Sequence, residues 1–166
     1  MRDDVKDLIA QVKEDNASAR EEAILELMYR MEDSTRHIVK NDALDDEYLS
    51  QDEQLELIHV LIELAESLKP EYAGLLWVVG KANPIIMVDP VQNYVLKYAD
   101  TMPIEVLYQS LVALQNCMVT KDFRDFEAIE AKFKYEQLKA ILREIRTQDD
   151  RLGDILQDTL LSMEVF

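Results

Sequence analysis

Apolar positions recur at spacings of three and four along most of this chain, the period of helices that turn one side inward. The pattern is broadest over Ser50 to Leu68. On a helical wheel, Leu55, Leu57, Ile58, Val60, Leu61, Ile62, Leu64, Ala65 and Leu68 take more than half the circumference, while Asp52, Glu56, His59, Glu63 and Glu66 fall on one narrow outward stripe. A helix with apolar flanks on both sides of a single polar ribbon has neighbours on each side, so this stretch predicts a helix in the middle of a stack.

The remaining elements follow in chain order. Val5, Leu8, Ile9 and Val12 predict a first helix ending near Asp15-Asn16, with Asp3, Asp4 and Asp7 near its positive end. Ser18 and Glu21 have capping-box spacing for a second helix over Ala17 to Glu32, whose inward face is Ala23, Ile24, Leu27, Met28 and Met31. Asp33-Ser34 reads as its stop, followed by a short helical segment over Thr35 to Lys40 and a polar, aperiodic loop over Asn41 to Leu49. Ser50 with Glu53 then caps the broad apolar helix that runs to Leu68. Lys69-Pro70 ends it and leads directly into a helix over Glu71 to Lys81, so short a link that the two fold back on each other. Asn83-Pro84 reads as the end of that helix, Ile85 to Val88 as an apolar link, and Asp89-Pro90 as the N-cap and first-turn proline of the next, which carries Val91, Val95, Leu96 and Tyr98. Pro103 opens another, with Ile104, Leu107, Leu111, Leu114 and Met118 inward. Thr120 to Thr147 predicts a longer helical region bent near Lys134, where the apolar register shifts, and Leu152 to Met163 the last helix. Strand-like alternation is absent and no linker splits the chain, so residues 1–166 read as one all-α domain of antiparallel helical hairpins.

Charge changes the picture more than size does. The 166 residues carry 34 acids and 18 bases, a net charge of −16. Such a surface repels phosphates, which argues against nucleic acid or an anionic membrane as partner and favours a basic protein. Residues 1–119 hold 23 acids against ten bases, whereas 120–151 hold eight of each. Between Lys40 and Lys69 there is no base and there are nine carboxylates. One cysteine, Cys117, among apolar residues forms no internal disulfide and reads as a small buried side chain in a reducing, cytoplasmic setting. The charged start Met1-Arg2-Asp3-Asp4 lacks the apolar core of a signal peptide, and no apolar run reaches the roughly 18 residues of a membrane span.

Asp15-Asn16-Ala17-Ser18-Ala19-Arg20-Glu21-Glu22-Ala23-Ile24-Leu25-Glu26-Leu27, a cap followed by an arginine and an alanine-bearing apolar stripe, resembles the second helix of a HEAT-like repeat. Gln109-Ser110-Leu111-Val112-Ala113-Leu114 is a weaker echo of it. With the proline-punctuated helix pairs, the resemblance covers residues 1–119 and implies a short HEAT-like α-solenoid, with 120–166 as additional C-terminal helices. Small acidic proteins of this kind are similar to immunity proteins of bacterial toxin–immunity systems, including contact-dependent inhibition, which bind and block a cognate toxin domain, often a nuclease.

Sites for chemistry are sparse. Glu56-Leu57-Ile58-His59 has the spacing of a di-iron helix ligand pair, but the second histidine, His37, has Ser34 where a matching glutamate would stand, so the set reads as a solvated stripe. Asp42, Asp45, Asp46 and Glu47 lack the ligand spacing and central glycine of a calcium loop. With three glycines there is no phosphate-binding loop. The residues therefore indicate neither enzyme, metal nor cofactor. They indicate a non-enzymatic inhibitor that meets a basic toxin domain through Asp45, Asp46, Glu47, Asp52, Glu56 and Glu63, with Tyr48 as an aromatic anchor. Three alternatives stay open: an acidity that serves solubility alone, an adaptor whose helical stack presents a groove to a peptide, and, third, an enzyme whose activity depends on Cys117 or on a metal at His59.

Overall fold

The computed structural model describes residues 1–39, 48–118 and 126–165, and among these every regular element is helical. The helices are α1 (Asp3–Val12), α2 (Ala17–Val39), α3 (Gln51–Ala65), α4 (Ala73–Val79), α5 (Pro84–Tyr98), α6 (Ile104–Met118), α7 (Phe126–Lys132), α8 (Tyr135–Arg143) and α9 (Asp150–Val165). A single 3-10 turn, Pro70–Tyr72, leads into α4.

Several boundaries differ from the sequence reading, each for a physical reason. The cap of α2 is Asn16, whose side-chain oxygen accepts from the Ala19 amide at 3.0 Å; Ser18 lies inside the helix. Helix α2 runs straight through Asp33-Ser34, because the hydroxyls of Ser34 and Thr35 donate to the carbonyls of Arg30 and Met31 one turn back instead of capping. Asn83-Pro84 starts α5 and does not merely end α4: Asn83 caps the Ile85 amide and Pro84 occupies the first turn. Pro90 is then carried inside the helix, which buries Met87 and Val88 completely. The bend expected near Lys134 is a break between α7 and α8. There the buried Gln92 stands in for lost helix bonds, donating to the Lys132 carbonyl (2.7 Å) and accepting from the Lys134 amide (3.0 Å). The Ser50–Glu53 capping box is present as expected, and α3 ends at Ala65, with Leu68 beyond it in the left-handed region (φ 57°).

Cross-contacts fix the directions of the helices. Ile24 packs on Gly74, and Thr35 donates to the Lys81 carbonyl at 2.8 Å, so α2 and α4 run the same way. Asn116 reaches the Gly80 carbonyl (3.0 Å) while Tyr108 lies by Ala73, so α6 runs with α4. Arg151 sits over Tyr108 and Gln115 donates to Thr159, so α9 runs with α6. In the second row, Gln54 accepts from the Asn83 amide and Tyr94 donates to the Ala65 carbonyl, which makes α3 and α5 parallel as well. Helices α2, α4, α6 and α9 thus contact one another in series, with α3 and α5 behind them and α1 closing one end against α2.

Helix α4 lies between α2 and α6, with α3 against it from the other row. Its seven residues are too few to be stable alone. Leu75, Leu76, Val78 and Val79 are wholly buried, and at about 1.5–3 kcal/mol per side chain that burial sustains the helix.

Candidate partner-binding surface

The surface is built on α3. Leu57, Ile58, Leu61 and Ala65 fix its inner side in the core, and Leu55, Val60, Ile62 and Leu64 are half-buried on its flanks. What remains outside is the polar stripe read from the sequence: Asp52, Glu56, His59, Glu63 and Glu66 are all exposed. At 1.5 Å per residue, Asp52 and Glu63 stand about 16 Å apart along the axis, and Asp52 and Glu56 about 6 Å, within the roughly 8 Å reach of an unscreened field at physiological salt.

Not all of these carboxylates are free. Asp52 and Glu63 have no ion-pair partner among the described residues. Glu56 lies 3.4 Å from the amino group of Met1, and Glu66 accepts from the Tyr98 hydroxyl (2.8 Å) with Lys97 at 3.9 Å. Glu53 faces away from the ribbon, where Arg2 forks onto its two oxygens (2.7 and 3.2 Å) and holds its carboxyl below the usual range. The same guanidinium donates to the Tyr48 carbonyl at 2.7 Å, tying the start of α1 to the start of α3. No local pattern marks a pair 51 residues apart, and this contact was not legible in the sequence.

Tyr48, four residues before Asp52 in the chain, is half-buried, with its ring centroid 3.7 Å from that of His37 on α2. Asp45, Asp46 and Glu47 lie outside the described residues. The chain just beyond them is firmly held, however. The buried Leu49 amide donates to Ser34 (2.8 Å), Gln54 reaches the Leu49 carbonyl (3.4 Å), and the other end of that Gln54 amide accepts from Asn83. This buried polar chain joins α2, α3 and α5 at Leu49, just before α3 begins.

Among the described residues no group of three or more histidines, cysteines or acids is placed to hold a metal ion, and no helix is long and apolar enough to cross a membrane. Cys117 is wholly buried, and burial pushes its thiol well above the ordinary range, so it is not poised as a nucleophile. Burial likewise lifts the Tyr94 hydroxyl, which is spent on the Ala65 carbonyl. The arrangement can therefore present fixed negative charge to a partner. Compared with protein-family models, curated proteins and solved structures, the chain matches none.

Proposed function

We propose that this protein is a non-enzymatic immunity protein, which captures a basic toxin domain of the nuclease type on its α3 ribbon and covers the substrate cleft. The observation that carries the reading is the alignment of Asp52, Glu56 and Glu63 along one exposed face of a helix that is capped and core-packed, with Asp52 and Glu63 unneutralised among the described residues. Carboxylates held in this way meet lysines and arginines that otherwise grip phosphate, and they accelerate encounter through their field. The protein then acts by occupancy, not turnover, and the reduced Cys117 suits a cytoplasmic setting. The parallel series α2, α4, α6, α9 with α3 and α5 behind supports the further reading of a short HEAT-like solenoid.

The test pairs this chain with the products of neighbouring reading frames. Co-expression with the true partner should relieve its toxicity. Changing Asp52, Glu56 and Glu63 together to lysine should slow association about tenfold and flatten its dependence between about 50 and about 300 mM salt. If rate, affinity and protection all survive that triple change, the ribbon is not the contact surface.

A further inference from the structure

Beyond the C-terminal end of the ribbon, three neighbouring clefts share lining residues around the α8–α9 connection. The first, about 310 Å³, lies between Pro70 and Ala73 on one side and Ile104 and Tyr108 on the other. The second, about 470 Å³, shares Ile104 with it and is lined by Met102, Leu107, Ile141 and Leu152, with Asp100 and Glu144 among its polar residues. The third, about 410 Å³, shares Ile145, Arg146 and Thr147 with the second and ends at Leu161. Each has the size of a ligand-binding cleft. Among the described residues only four large apolar side chains are strongly exposed, and two of them, Ile104 (45%) and Leu161 (52%), stand on this one path.

The polar groups on the groove are unequally engaged. Five carboxylates (Asp100, Glu105, Glu144, Asp149 and Glu164) line it against three arginines: Arg143 pairs with Glu164 (3.3 Å), while Arg146, donating to the carbonyls of Arg143 (2.6 Å) and Ile145 (3.3 Å), and Arg151, 4.3 Å over the Tyr108 ring, keep their charge. The carboxylates of Asp100, Glu105 and Glu144 have no ion-pair partner among the described residues. The charge left over is negative. The backbone amides of Thr147 and Gln148, in a non-helical link, also lack an acceptor among the described residues, which leaves donors for the main chain of an extended segment. A second copy of this chain would bring another net charge of −16 against those carboxylates.

We propose that this groove receives an extended segment of another protein, with apolar side chains seated at Ile104 and along Ile145 to Leu161 and lysine or arginine opposite Asp100 and Glu144. The inference is independent of the α3 ribbon and stands whether or not the ribbon binds a toxin.

The probe is a short fluorescein-labelled peptide of alternating leucine and lysine, with serine–lysine and leucine–glutamate peptides of equal length beside it, read by fluorescence anisotropy on the intact protein. The leucine–lysine peptide should bind, and each control about tenfold more weakly, since the site needs both apolar and cationic contacts. D100K/E144K, at two exposed positions that leave the core untouched, should weaken it about tenfold, as should I104S once circular dichroism shows it folded. The D52K/E56K variant, in the first two turns of α3, should stay within about twofold, because additivity holds for distant sites. Amide shifts should cluster at residues 100–107 and 141–161. Equal binding of the serine–lysine peptide, sensitivity to the ribbon variant but not to the groove variants, or a sedimenting dimer that I104S dissociates would each overturn the proposal.

Discussion

Replacing Ser34 with alanine tests the polar chain that ties Leu49, at the head of α3, to α2. The Ser34 hydroxyl is fully buried and is the acceptor, at 2.8 Å, for the amide of Leu49, itself only 2% exposed. Alanine removes that acceptor and little volume, leaving an N–H that water cannot reach. The full desolvation penalty then falls on the folded state, about 1–3 kcal/mol. The Arg30 carbonyl, which also receives the Ser34 hydroxyl, lies inside α2 and is served by the helix ladder, so its loss adds little. The folded-to-unfolded ratio should fall by about fivefold to about 150-fold. Urea unfolding followed by far-ultraviolet circular dichroism gives the stability, and hydrogen exchange at the Leu49 amide locates the effect. Ser18→Ala is the internal comparison: Ser18 is exposed and Asn16 holds the cap, so this change should stay within about 0.5 kcal/mol. If Ser34→Ala also stays within about 0.5 kcal/mol and Leu49 exchanges no faster, the hydrogen bond is not what holds this junction.

Three further outcomes are expected. Arg2 holds the Glu53 carboxyl below its ordinary value of 4.5, so the pair's contribution is complete above that pH and lost as acid protonates the folded form. Glu53→Gln should therefore cost about 1 kcal/mol at neutral pH, and the gap from the parent, read as a urea midpoint, should close below pH 4.5; a gap that persists in acid contradicts the pairing. Gly153→Ala in α9, where an added Cβ meets nothing within 4 Å, should raise stability by about 0.5–1 kcal/mol, whereas Gly80→Val, against Ala113 at 3.3 Å, should lower it by about 1–3 kcal/mol in the same assay. The buried Cys117 thiol should react with a disulfide reagent at least about a thousandfold more slowly in native buffer than in urea; prompt native reaction would show α6 opening locally.

Much of this molecule is written in local pattern. The Ser50–Glu53 box, the burial of Leu57, Ile58 and Leu61, and the exposure of Asp52, Glu56 and Glu63 each depend on residues within a turn or two, and these were legible. The misplaced boundaries come from signals that admit two uses. A serine or threonine can cap a helix or bond back into it, and only the distant partners Leu49 and Lys81 favour the second use at Ser34 and Thr35. An Asx-Pro pair can stop one helix or start the next: Asn83-Pro84 reads as a stop and Asp89-Pro90 as a start, and only the burial of Met87 and Val88 makes the earlier pair the start. The groove was invisible for a different reason. It is assembled from three chain segments whose proximity no periodicity encodes.

The serial arrangement of α2, α4, α6 and α9 has a bearing on how this protein can vary. Within that row each helix packs chiefly on the members immediately before and after it, so one member imposes no direct fit on those farther off. Substitutions along the outer margin of α2 therefore need no matching change in α9, and the two ends are at liberty to diverge under separate pressures while the short α4 between them stays constrained.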